Sequence, residues 1–111
     1  MRPPIIVNNR GDVGIFDSVE RAERDLEPID IRNGEYVIYD SEGRLVECVI
    51  TTRFLNETVR LHPSPEGEVN PEALRQVVID FLSRVNTTPA ESLSPRPLEQ
   101  LIADALRHKI K

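Results

Sequence analysis

The two carboxylates of the segment DSEG, residues 40–43, are the side chains whose spacing most resembles a chemical site. A calcium loop places oxygen ligands at alternate positions over about twelve residues and closes with a bidentate Glu. Here Arg44 and a run of strand residues follow at once, so the ligand pattern stops. Asp at the start and Gly late in a turn are typical of a hairpin bend. We therefore expect a water-exposed turn, not a metal or acid–base site.

The single cysteine and the two histidines also lack the neighbours that catalysis needs. Cys48 lies in the middle of a strand pattern, which is typical of an inert core cysteine. His62 precedes Pro63, and His108 lies near the end of the sequence. One Cys and two distant His do not have the spacing of a zinc site. We expect no catalytic residue, no metal and no cofactor, with a small hydrolase using His62 as the weakest alternative.

The charge of the chain is unevenly distributed. The net charge is −5, but residues 12–43 contain ten acids and three bases, a net −7. Phosphate backbones attract basic surfaces, so we expect no nucleic-acid partner. No glycine-rich phosphate loop is present either. The acidic half would attract a basic partner protein, or it serves only to keep the protein soluble.

The first half of the sequence predicts several strands and one helix. Short apolar runs predict strands at 5–8 and 12–16. Asp17 and Glu20 predict the N-terminus of a helix, and Pro28 is expected to end that helix. Ile29 and Ile31 alternate as in a strand, followed by strands at 35–39 and 44–52. Neither face of strand 35–39 is polar. It should be covered on both sides, or its second face should contact a partner.

The second half predicts one further strand and two helices. The strand is 57–62, followed by a loop at 63–70. Asn70 and Pro71 begin a helix that continues to about residue 85, with the strongest apolar periodicity of the chain. A linker rich in Pro, Ser and Thr follows at 86–97. The last helix runs from about 96 to 109.

These elements predict one α+β domain spanning residues 1–111, sheet-rich over 1–62 and helical over 71–111. Hairpin connections favour an antiparallel sheet of four to five strands, with about three helices packed on it in two layers. No apolar run approaches the roughly 20 residues that span a bilayer, and the first residues lack the apolar stretch of a signal peptide. With a lone cysteine, these features favour a cytoplasmic protein without membrane contact.

The run from Gly11 to Leu45, GDVGIFDSVERAERDLEPIDIRNGEYVIYDSEGRL, resembles a module of small bacterial proteins. Some of those proteins are similar to immunity proteins of contact-dependent or polymorphic toxin systems. The resemblance covers about a third of the chain and contains no catalytic motif. It implies a cytosolic protein that binds and blocks a toxin domain without a cofactor.

Two interpretations of function follow. In the first, the chain is a non-enzymatic protein-binding module, with a basic toxin domain as one candidate partner. Tyrosine is enriched at protein interfaces and acids would face the basic partner. The expected interface residues are Glu20, Glu23, Glu27, Glu35, Tyr36, Tyr39 and Glu47. In the second, the chain is a structural or regulatory homodimer that uses strand 35–39 and the last helix.

Overall fold

A computed structural model describes residues 1–109 as a five-stranded antiparallel sheet with five helices. The strands lie in the order β2-β1-β3-β4-β5. They are β1 Ile5–Asn9, β2 Asp12–Phe16, β3 Tyr36–Tyr39, β4 Leu45–Arg53 and β5 Asn56–Pro63. The helices are α1 Val19–Asp25, α2 Pro28–Arg32, α3 Pro71–Asn86, α4 Ala90–Leu93 and α5 Leu98–Lys109. The antiparallel α+β fold predicted from the sequence is confirmed, and residues 110–111 of the predicted helical part lie outside the described range.

The sheet has a separate hydrophobic core on each face. Successive residues of a strand point to opposite sides. Accordingly Ile6 of β1 joins one cluster, while its neighbours Ile5 and Val7 join the other. The first cluster contains the buried faces of α3 and α5, and we call this side of the sheet the α3 face. The second contains Ala22 of α1, and we call that side the α1 face.

Helices on both faces make three layers, where the sequence predicted two. The reason lies in strands such as IIV in β1 and YVIY in β3, which are apolar at every position and need cover on both sides. Tyr39 lies under α3 and α5, whereas Ile38 belongs to the α1 cluster. Most of β3 is therefore covered by the protein's own helices. Val37 is the exception, with 44% of its surface exposed.

The start of α1 differs from the prediction by one residue. Ser18 is the N-cap, and its hydroxyl accepts the amide of Arg21 at 3.2 Å. Asp17, the predicted cap, instead forms an ion pair with Arg21 one turn into the helix. With the cap at Ser18, Glu20 is not in the third helical position that a capping box requires.

The predicted strand at Ile29 and Ile31 is wrong, because these residues lie in α2. Pro28 is the first residue of this helix, a position where its missing amide hydrogen has no helical partner to lose. Ile31 contacts the α1-face core and Ile29 is 62% exposed. Two apolar residues separated by one position fit a strand and a short helix equally well. Pro28, which favours the first position of a helix, therefore determines which of the two forms.

The helical half follows the sequence more closely. Asn70 caps α3 as predicted, since its side chain accepts the amide of Ala73 at 3.1 Å. The linker at 86–97 contains the unpredicted short helix α4. Leu93 of α4 is 1% exposed and belongs to the α3-face core. The segment is therefore anchored to the domain by this leucine and by Arg75 of α3, which donates to the carbonyls of Ser94 and Arg96 at 3.2 and 2.7 Å.

Asp40 organises the turn between β3 and β4, and it is not exposed as the sequence suggested. Only 2% of its surface is accessible. Its carboxylate accepts the amides of Glu42 and Arg44 at 2.9 Å and that of Arg2 at 3.2 Å. Gly43 adopts φ 85°, which favours glycine. The DSEG segment is a structural turn whose carboxylate is fully used by backbone amides.

Candidate functional site: the β4–β5 arm

The longest hairpin of the chain extends beyond the rest of the sheet. All four residues of β3 pair with β1, but only Ile38 and Tyr39 pair with β4. Beyond Val46, β4 separates from β3 and remains paired only with β5. We call this two-stranded part, residues 47–62, the arm. A cavity of about 220 Å³ lies where β3 and β4 separate, lined by Ile31, Tyr36, Ile38, Val46, Glu47 and Cys48.

The direction of the backbone groups along the arm follows from its turn. Arg53 and Asn56 flank a two-residue loop, so their backbone groups hydrogen-bond to each other. From there, every second cross-strand pair along the arm is also hydrogen-bonded. The amide of Ser64 donates to the carbonyl of Leu45, which fits the same alternation of hydrogen-bonded pairs. The backbone groups of the intervening residues point away from the hairpin. On β4 these are Cys48, Ile50 and Thr52, and on β5 they are Glu57, Val59 and Leu61.

The outer edge of β5 is protected at Leu61 and Pro63, two of its four outward positions. Glu23 of α1 accepts the outward amide of Leu61 at 2.7 Å, and its other oxygen lies 3.7 Å from Arg60. Pro63, at the next outward position, has no amide hydrogen to offer. Arg32 of α2 forms an ion pair with Glu57 near the end of the arm. These are the devices by which proteins prevent unwanted strand addition at a sheet edge.

The opposite edge of the arm has no such protection. Within residues 1–109, the outward amides and carbonyls of Cys48, Ile50 and Thr52 have no strand partner and no recorded side-chain hydrogen bond. An exposed row of unpaired backbone groups is a template for another strand. The arm therefore has one partly protected edge and one available edge.

The turn of the arm exposes two large apolar side chains. Phe54 is 92% exposed and Leu55 is 98% exposed. Phe54 also adopts φ 57°, a left-handed conformation that is unfavourable for a bulky residue by about 1–2 kcal/mol. Two-residue hairpin loops with positive φ normally use Gly, Asn or Asp. Strain and apolar exposure thus coincide at one turn, a combination that is found mostly at functional positions.

The acidic residues predicted for an interface do not form one surface. Glu20 and Glu27 are exposed on the α1 side and form no ion pair among the described residues. Glu23 is partly buried and holds the β5 edge, so its role is structural. The pKa of Glu35 is raised by a hydrogen bond with Asp30, by burial of Glu35, and by the negative charge of Asp30. Glu47 projects from the arm on the α3 face, away from α1.

The two predicted tyrosine anchors are largely occupied within the fold. Tyr39 is 7% exposed in the α3-face core, and burial raises its pKa. Tyr36 is half-buried and its hydroxyl donates to Asp30 at 3.1 Å. Burial and this contact raise the pKa of Tyr36. In this conformation Tyr36 offers part of its ring to the cavity beside the arm, and Tyr39 offers no surface.

The side chains considered for catalysis are separated. Cys48 is half-buried on the arm, and burial, assisted by the charge of Glu47, raises its pKa to about 11. Its thiolate is therefore scarce at neutral pH. His62 is exposed at the end of β5, and Asp40 is enclosed by backbone amides. No group of three His, Cys, Asp or Glu able to hold a metal ion occurs in the described part of the chain.

A cleft of about 610 Å³ lies between α1 and the β1–β2 hairpin. Its rim mixes Arg21 and Arg24 with Asp12, Asp17 and Asp25, and its floor contains Val7 and Gly14. Asp17 already pairs with Arg21. Both acids and arginines line this cleft, so its electrostatics favour no single class of ligand.

The tip of the arm was not anticipated from the sequence. The signal available was the segment RFLN, residues 53–56, between two strand patterns that must form a hairpin. A hairpin loop without Gly, Asn or Asp at its two central positions is unusual. That irregularity alone indicates the position of the exposed pair.

No helix among residues 1–109 is long and apolar enough to cross a bilayer. No protein-family model, no curated protein and no solved structure matches this chain.

Proposed function

We propose that this chain is a non-enzymatic protein-binding module and that the arm is its binding surface. The observation that carries the proposal is the pair Phe54 and Leu55, exposed at 92% and 98% on a strained turn. Fully burying such a side chain contributes about 1.5–3 kcal/mol, so a partner that encloses both gains a substantial anchor. The available edge of β4 adds backbone hydrogen bonds to the same surface.

A more specific form of the proposal is an immunity protein that neutralises a basic toxin domain in the bacterial cytoplasm. It is supported by the net −7 of residues 12–43 and by Glu20 and Glu27, which are exposed and form no ion pair within residues 1–109. Acidic groups at the rim of an interface mainly accelerate association with a basic partner. In this form the arm anchors the complex and the α1 side attracts the toxin domain.

The general proposal is tested by site-specific photo-cross-linking in the native host. A photoreactive phenylalanine analogue replaces Leu55, and the matched control places it at Arg10, in the other two-residue hairpin turn. We expect protein cross-links from position 55 that disappear when Phe54→Ser is added, and none of these from position 10. Equal, non-specific labelling at both positions would refute the arm as a binding surface.

The immunity form is tested by co-expression with toxin domains encoded beside the gene. We expect growth rescue by the native chain, and slower association for the Glu20→Lys/Glu27→Lys variant, with a weaker dependence on salt. Glu23 is left unchanged because it holds the β5 edge. Absence of rescue with every neighbouring toxin would refute the immunity form and leave the binding-module proposal standing.

A further inference from the structure

The gap between β3 and β4 has unpaired backbone groups on both of its walls. The amide of Asp40 donates to the carbonyl of Arg44, so Ile38 and Tyr36, at alternate positions of β3, also direct their backbone groups toward β4. Ile38 uses these groups on Val46, whereas Tyr36 has no partner strand on this side within residues 1–109. The opposite wall carries the outward groups of Cys48, Ile50 and Thr52. One further strand along β4 would satisfy backbone groups that the fold leaves open.

The closed end of the gap limits what can pair with β4. Val46 already has Ile38 on its outer side, so an added strand can follow β4 only from Thr52 to Cys48. A hairpin placed there would bring its turn against β3. A single extended segment can end beside Cys48 or leave the sheet on the α3 face, where Val37 is 44% exposed. The gap therefore favours one extended peptide segment over the edge of a folded sheet.

The recess at the closed end suits an aliphatic side chain. Residues opposite each other on neighbouring strands share a face of the sheet. Cys48 packs against the α1-face core, so a peptide residue opposite it directs its side chain to that face. The cavity of about 220 Å³ lies there, lined in part by Ile31, Ile38 and Val46. A peptide residue opposite Ile50 points to the same face, so two aliphatic residues separated by one position fit this site.

The peptide residue between these two lies on the opposite face, the side from which Glu47 projects. It stands opposite Val49, and Glu47 is its diagonal neighbour at about 7–8 Å, within reach of a Lys or Arg side chain. Glu47 is exposed and forms no ion pair in the described part of the chain. On the β3 side, Asp30 and Glu35 share a hydrogen bond, and the charge of Arg10 offsets only part of theirs. Charge complementarity therefore favours a basic residue at the middle position.

We propose that the arm binds an extended peptide segment of a partner protein, added antiparallel along β4 from Thr52 to Cys48 with the pattern aliphatic–basic–aliphatic. This inference rests on the proposed binding function of the arm and names the chemistry of its partner. All strand pairs of this sheet are antiparallel, and antiparallel pairs are slightly more stable per residue than parallel ones. Backbone hydrogen bonds supply the affinity of such strand addition, while the recess and Glu47 select the side chains.

The probe is a set of blocked peptides, Ser-Thr-Φ-Lys-Φ-Gly, in which Φ is Val, Ile or Leu and the glycine lets the chain leave the sheet. We expect at least one peptide to bind with a Kd below about 1 mM by titration calorimetry. Hydrogen exchange measured by NMR should slow by about tenfold at the outward amides of Cys48, Ile50 and Thr52. The amides of Val49 and Thr51, which bond within the hairpin, should change little. The matched set Ser-Thr-Lys-Φ-Φ-Gly lacks the alternation and should not bind.

Charge exchange and N-methylation test the register. Replacing the peptide Lys by Glu, or Glu47 by Lys in the chain, should weaken binding roughly fivefold, and combining both changes should restore it. Glu20→Lys is the matched control and should leave the Kd unchanged. N-methylation of the first Φ removes the amide that donates to Ile50, so it should weaken binding about tenfold. N-methylation of the Lys should have little effect, because that amide points away from β4.

Absence of binding by every peptide of the set would overturn the strand-addition inference. Slowed exchange confined to the outward amides of Glu57 and Val59 would place the peptide on β5 and overturn it as well. Equal effects of the two N-methylations, or no recovery when both charges are exchanged, would overturn the register and with it this inference. None of these results removes the binding function of the arm, because photo-cross-links from position 55 would still show a partner. Absence of any protein cross-link from position 55 would instead refute the proposed function itself.

Discussion

Replacing Phe54 by Asn should stabilise the folded chain while removing its binding activity. Phe54 holds a left-handed conformation, φ 57°, that is unfavourable by about 1–2 kcal/mol for most residues and that Asn tolerates. The side chain is 92% exposed, so its loss removes only about 0.2 kcal/mol of burial. The free energy of unfolding should therefore rise by about 1 kcal/mol, or roughly 4 °C in Tm for a domain of this size.

The assay is urea unfolding followed by circular dichroism, at a protein concentration low enough to keep both chains monomeric. Dilution matters because association adds stability that depends on concentration. Arg10→Asn is the matched control, because Arg10 also begins a two-residue hairpin loop and has φ 50°. Both variants should become more stable, but only Phe54→Asn should lose the protein binding that cross-linking from position 55 detects. A less stable Phe54→Asn chain would refute the strain argument, and unchanged association would refute the role of the turn.

Three further predictions concern the scaffold. Asp40→Ala leaves buried amides of the DSEG turn without acceptors and should lower the free energy of unfolding by about 3 kcal/mol in urea titrations, whereas Asp40→Asn should lose less. Gly43→Ala should prevent folding, because the new Cβ would lie 2.6 Å from the Cα of Pro71; the assay is loss of cooperative thermal unfolding. Gly67→Ala, at φ 64° with no atom nearby, should lower the free energy of unfolding by only about 1 kcal/mol. Cys48 should alkylate slowly at pH 8, with a rate that rises towards half-maximum near pH 11; a midpoint near pH 9 would show that its thiol is not buried.

Signals that act between neighbouring residues of this sequence predicted its structure better than signals that depend on distant contacts. Asn70 and Pro71 predicted the start of α3 because a cap acts through its own neighbouring amides. Ile29 and Ile31 misled because two apolar residues do not distinguish a strand from a short helix. Asp40 was expected to be exposed because the sequence does not reveal that Arg2, 38 residues earlier, covers the turn.

The candidate site was harder to predict than the fold. Periodicity indicated that 44–52 and 57–62 form a hairpin, but not that β3 separates from β4 after two pairs. That separation depends on tertiary packing, and without it β4 would be covered by β3 and would have no available edge. The charge of Glu23 predicted an interface residue, yet its carboxylate accepts the Leu61 amide within the fold. The sequence states which groups are charged, whereas only packing decides which of them remain available.

The contact between Glu23 and the Leu61 amide has a consequence for assembly size. An arm with two free edges would allow the β4 edge of one chain to join the β5 edge of the next, a head-to-tail contact that repeats without limit and grows into filaments. Because one carboxylate occupies the Leu61 amide and Pro63 has no amide hydrogen, β5 is the poorer of the two edges of the arm, and strand addition to the arm is favoured at β4. Glu23 on α1 thus works against head-to-tail growth through the two edges of the arm.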